Sequence, residues 1–131
     1  VPLWARESRG VKKSYKHLHY ANKIRRFAEL KEFVRPEAAL ARRALGDDHE
    51  ITLRLRYHYA DALFQGLRDA LLLSLADASR EPAFIEAKAE IEDVYLRMKR
   101  VLGAMHPHTK ITAELLDKVR AVESFVKRSV G

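Results

Sequence analysis

The chain holds 131 residues, 47% hydrophobic and 33% charged, so it is a single domain's worth with enough apolar surface to bury a core, and wholesale disorder is excluded. Cysteine is absent, which excludes disulfides, a thiolate nucleophile and any zinc site built on sulfur, and favours a reducing, cytoplasmic setting. The formal charge of +7 is concentrated early, because residues 1–46 carry 12 Lys or Arg against 4 acidic residues while the remainder carries 13 against 14.

No run approaches the apolar length of a membrane helix, since the richest stretch, Leu67 to Ala76, carries Arg68 and Asp69. The chain starts at Val1 without a signal-peptide pattern, and is expected to be a domain of a longer protein.

Residues 1–10 read as an irregular lead-in ending at Gly10. From Val11 to about Val34, Tyr15, Leu18, Ala21, Ile24 and Phe27 step by threes and predict a helix. Pro36 fits the first turn of a helix better than its interior, so a second, short helix is expected from Pro36 to Leu45, ended by Gly46. Residues 11–46 thus form a first hairpin.

Residues 51–59 alternate apolar and polar side chains, the local pattern of a half-buried strand. Yet Ile51, Leu55, Tyr59, Leu63, Leu67, Leu71 and Leu75 recur every fourth position over a length no ordinary strand reaches, so helix is expected. Gly66 either splits this segment or sits inside one long helix. Asp77 to Pro82 reads as a turn and restart. The next helix draws its apolar side from Phe84, Ile85, Ala87, Ala89, Ile91, Val94, Tyr95, Met98 and Leu102, and Gly103 ends it. A terminal helix over about 107–128 carries Ile111, Leu115, Val119, Val122 and Val126. The expected architecture is all-α, about five helices stacked as antiparallel hairpins.

Two stretches echo one another: Ala44-Leu45-Gly46-Asp47-Asp48-His49-Glu50-Ile51-Thr52 and Val101-Leu102-Gly103-Ala104-Met105-His106-Pro107-His108-Thr109. Leu-Gly, His and Thr fall at the same offsets in both. Each lies at a helix-to-helix junction, where a side chain from Asp48, His49, His106 or Thr109 can cap unpaired N–H groups at the helix start. The acids of Asp47-Asp48 suit the positive end of the helix dipole.

The pattern Leu-Gly, two residues, His-Pro, one residue, Thr resembles the junctions of tetratricopeptide (TPR) repeats of the kinesin-light-chain type. Ala44–Thr52 departs by placing Glu50 where the proline stands, and Asp117 aligns with Ala60, the small residue expected where paired helices approach. The interval of 57 residues from Thr52 to Thr109 exceeds the usual repeat of about 34. The resemblance implies a divergent TPR-like superhelix with an expanded second hairpin over 51–103, and a concave surface that binds protein or peptide.

Candidate chemistry is sparse. His17 and His19 diverge on their helix, His106 and His108 flank a proline, and His58 with Asp61 is a lone pair, so no metal site is expected. The acidic stretch around Glu90, Glu92 and Asp93 pairs with Arg97 rather than forming the split-pKa carboxylates of acid–base catalysis. No phosphate loop or nucleophile elbow is present, so neither enzymatic activity nor a cofactor is expected. The candidate partner-binding residues, off the apolar stripe and where the repeat family presents its groove, are Arg54, Tyr57, His58, Asp61 and Gln65. Their expected partner is a protein or peptide, acidic or extended. Lys12, Lys13, Lys16, Lys23 and Arg26, interleaved with Tyr15, Tyr20 and Phe27, form a basic patch that supports an alternative, a nucleic-acid-binding helix.

Overall fold

The computed structural model describes residues 12–74 and 82–130, with the side chains of 25–68 and 82–124. All the elements among them are helices: α1 (Lys12–Leu45), α2 (Glu50–Ser74), α3 (Pro82–Val101) and α4 (Pro107–Val130). Residues 1–11 and 75–81, which hold the expected lead-in and most of the turn expected over Asp77 to Pro82, lie outside the described residues.

Each helix packs on its neighbour in sequence, and α2 also touches α4. The short junctions after α1 and α3 turn the chain back on itself, so each makes an antiparallel pair. The strand-like alternation at 51–59 is helical, as the longer period required, and α2 runs through Gly66 without a break. A side chain at Gly66 would place its Cβ 3.3 Å from Cβ of Phe27, so the glycine marks the close approach of α1 and α2.

The expected break before Pro36 is not found: α1 is one helix with Pro36 inside it. An interior proline costs roughly 3 kcal/mol through a lost N–H bond and a clash with the carbonyl four residues back. Here Pro36 lies on the exposed side, where that carbonyl can be hydrated, while Val34, Ala38 and Ala41 carry one buried face past it. Continuous burial along α1 outweighs the local penalty. Pro82 and Pro107, in contrast, each open a helix as expected, at the position where a missing N–H goes unused.

The core lies between α2, α3 and α4, with Val34 joining from α1. Phe64 and Phe84 meet at 6.5 Å between ring centroids in a tilted pair, and each is fully buried, worth roughly 1.5–3 kcal/mol. Ala87, Ile91, Val94 and Met98 repeat at three and four along α3, and Leu115, Leu116 and Val119 meet them from α4. Thr112 is buried here; its hydroxyl donates to the His108 carbonyl at 2.8 Å, which removes the cost of desolvating it.

Several expected core residues lie outside. Ile51 heads the fourfold stripe but is half exposed, and Ile85, Ala89 and Ile111 face out as well. The buried side of α2 is instead Thr52, Leu53, Arg56, Tyr59, Ala60, Leu63 and Phe64, because flanking helices on both sides cover a broader arc than one stripe.

The two echoing junctions have one geometry. Gly46 and Gly103 adopt φ of 93° and 92°, the left-handed conformation that L side chains rarely adopt. His49 and His106 then accept the first intrahelical bonds through their carbonyls, from Leu53 and Lys110, each at 3.0 Å. Their rings cap the helices: Nδ1 of His49 accepts the Ile51 N–H and Nδ1 of His106 the His108 N–H, both at 3.1 Å. Thr52 and Thr109 are fully buried with hydroxyls that have no partner among the described residues, so the echoed threonine serves packing and not capping.

Candidate functional site

The candidate residues on α2 fall on one side of that helix, since positions 54, 58, 61 and 65 repeat at four, three and four. Arg54 and His58 are exposed; Tyr57, Asp61 and Gln65 are half-buried. Asp61 accepts from Gln65 Nε2 at 3.2 Å, and His58 sits edge-on to Tyr57 at 5.3 Å. Tyr57 packs against Leu53, Val94 and Met98, while its hydroxyl is held neutral: burial, with the charges of Asp61 and Glu114, pushes its pKa up to about 12. Glu114 belongs to α4, so Tyr57 lies on the side of α2 nearer α4.

Of the basic patch, Arg26 is exposed, while Lys12, Lys13, Lys16 and Lys23 lie in the N-terminal part of α1, outside the described side chains.

The opposite side of α2 holds a constellation that sequence reading missed. Arg56 projects there and is only 5% exposed at its side chain, although an arginine in an alternating stretch reads as a solvent-facing residue. Its Nε and Nη2 donate to the two carboxylate oxygens of Glu90, both at 3.1 Å, and Nη2 also meets Asp93 at 2.8 Å. Burial disfavours the guanidinium charge, but these hydrogen bonds outweigh it, and the pKa rises above its usual value. Nη1 is buried without a partner among the described residues, a state that costs about 1–3 kcal/mol.

The network continues to the first junction. Arg97 donates to Asp93 at 2.9 Å, the expected pair on α3, and to Asp48 at 2.8 Å, and Arg100 donates to Asp48 at 2.9 Å. Asp48 thus ties its junction to α3 instead of capping α2, and Asp47 pairs with Arg42 at 2.9 Å. The hydrogen bond from Arg97 holds Asp48 below the ordinary carboxylate range.

Above Arg56 lies a cleft of about 300 Å³. Arg35, Ala38, Ala39 and Arg42 of α1 form one wall, Glu86 and Glu90 of α3 the other, and Arg56 and Tyr59 of α2 the floor. Tyr59, expected to be core, has a buried ring but a working hydroxyl: it donates to Glu86 Oε1 at 2.5 Å and accepts from Arg35 Nη2 at 3.3 Å. Burial of the ring, then the bond to Glu86, raises its pKa. The spacing Arg-x-x-Ala-Ala-x-x-Arg, which puts two small residues between two cations on one helical side, was the sequence signal for this wall.

Among the described residues no group of three or more His, Asp or Glu is placed to hold a metal ion, and no helix is long and apolar enough to cross a membrane. No protein-family model, curated protein or solved structure matches the chain.

Proposed function

We propose that the chain is a non-catalytic, cytoplasmic interaction module, a divergent relative of the kinesin-light-chain type of TPR array, which binds an extended peptide along α2 beside α4. The observation that carries this reading is the recurrence of one capped junction, left-handed glycine and then histidine cap, at His49 and His106. The like junctions before α2 and α4 support this reading, because stacks of repeated helices present side chains from like helices on one surface. Arg54, His58, Asp61 and Gln65 line that surface with polar groups around the ring of Tyr57, the mixture of rigid aromatic area and hydrogen-bonding groups that peptide grooves use.

The test compares two sets of variants against labelled peptides and generic nucleic acid. Peptide binding that falls at least tenfold in Arg54→Glu, His58→Ala or Asp61→Lys supports the proposal. Salt-sensitive binding to DNA or RNA, lost when Lys12, Lys13, Lys23 and Arg26 become Glu and untouched at Tyr57 and Asp61, overturns it in favour of a nucleic-acid interface.

A further inference from the structure

The cleft between α1 and α3 is polarised across its width, and its charges are unevenly committed. Glu90 is taken up by Arg56, and Arg42 is paired with Asp47 at the rim. Glu86, in contrast, meets no cation at salt-bridge distance among the described residues and accepts only the Tyr59 hydroxyl. Arg35, on the facing wall, is countered by Glu32 at a loose 3.7 Å on the exposed side. Tyr59 bridges the two, so the Arg35 guanidinium and the Glu86 carboxylate stand within about 6 Å of each other.

We propose that this cleft is a second binding site, one that takes an extended peptide segment carrying an acidic side chain next to a basic one. The carboxylate goes to Arg35, and the cation goes to Glu86. Three observations lead to this chemistry. Opposed walls of opposite sign favour a ligand with both signs over a simple anion or cation. Arg35 and Arg42 are seven residues apart, about 10 Å along α1, which matches roughly three residues of extended chain. Between them Ala38 and Ala39 leave no bulk, so a backbone can lie close. The floor residue Arg56, nine-tenths buried and with Nη1 lacking a partner among the described residues, separates the cleft from an ordinary solvated groove. The site lies across α2 from the Tyr57 stripe and stands independently of it.

The experiment is an NMR titration of the protein with acetyl-Ala-Glu-Lys-Ala-amide and with its Gln-Lys and Glu-Gln counterparts. The Glu-Lys peptide should shift amides in 35–42 and 86–90, and removing either charge should weaken it at least fivefold. In Arg35→Gln the peptide's Glu should cease to matter, and in Glu86→Gln its Lys should cease to matter. Both substituted side chains are exposed, so an unchanged amide spectrum elsewhere checks that the fold persists. Equal binding of the three peptides, or charge preferences unaltered in both variants, overturns the proposal. Shifts confined to residues 12–26, or to Arg54, His58, Asp61 and Gln65, overturn it too. So does free glutamate with free lysine matching the joined peptide, which assigns the cleft to small zwitterions.

Discussion

His49 and His106, 57 residues apart in the chain, cap their helices identically, each ring accepting through Nδ1 the amide two residues further on at 3.1 Å. Helix starts leave such amides unpaired, and capping side chains stabilise them by about 0.5–2 kcal/mol. His49→Ala and His106→Ala should each lower unfolding free energy by about 1 kcal/mol, measured by urea denaturation, and Asn at either position should restore most of the loss. Equal stability of the Ala and Asn variants would remove the capping role.

The echoed threonines predict the opposite sign. Thr52 and Thr109 bury hydroxyls with no partner among the described residues, so Thr52→Val and Thr109→Val keep the shape and remove the desolvation cost. Each should raise stability by about 1 kcal/mol. A loss in either variant would show that its hydroxyl is satisfied in solution.

Arg56 is the one buried charged residue among the described residues. Truncating it strands the half-buried Glu90 and leaves Asp93 with Arg97 alone, so Arg56→Ala should cost roughly 3 kcal/mol, while Arg56→Met, which keeps the packing and removes the charge, should cost less. If Met is as damaging as Ala, the ion pairs are stabilising beyond their desolvation cost.

Both ends of the pH scale should loosen the fold for different reasons. Asp48 is held below its ordinary range by the bond from Arg97; at Asp93, burial raises the pKa but hydrogen bonds from Arg56 and Arg97 outweigh it. A depressed carboxylate stabilises the folded state above its unfolded pKa, near 4, and that contribution is lost as pH falls further. Melting temperature should therefore drop below about pH 4, less steeply in a variant with both Asp48→Asn and Asp93→Asn. At the alkaline end Tyr57 titrates at about 12 when folded and near its ordinary value of about 10 when unfolded, so stability should fall between those values. Tyr57→Phe should blunt that fall, and an unaltered alkaline limb would refute the assignment.

Gly66 is retained by contact, not by backbone conformation. Alanine would ordinarily gain about 1 kcal/mol inside a helix, but here its Cβ meets Cβ of Phe27 at 3.3 Å. Gly66→Ala should gain little or nothing, and Gly66→Val should destabilise by roughly 1–3 kcal/mol. A full alanine gain would mean that α1 moves aside freely.

What could be read from the chain was whatever is decided within one helical turn. The glycine stops, the histidine-led starts, the proline openings at 82 and 107 and the Asp93–Arg97 pair all rest on bonds spanning five residues or fewer, and all are present. The fourfold repeat from Ile51 to Leu75 likewise made α2 a helix, since period survives whatever packs against it. Tertiary structure decided the rest. Pro36 stays helical because burial of Val34, Ala38 and Ala41 continues past it. Ile51 is exposed. Arg56 is buried because Glu90 and Asp93, 34 and 37 positions away, arrive on α3 to meet a charge that its own neighbours would have left in water. The cleft with its opposed walls comes from the same folding, which sets Arg35 and Glu86 on either side of Tyr59. Hydrogen bonding along a helix is local, but the identity of its covered side depends on partners that sequence spacing does not locate.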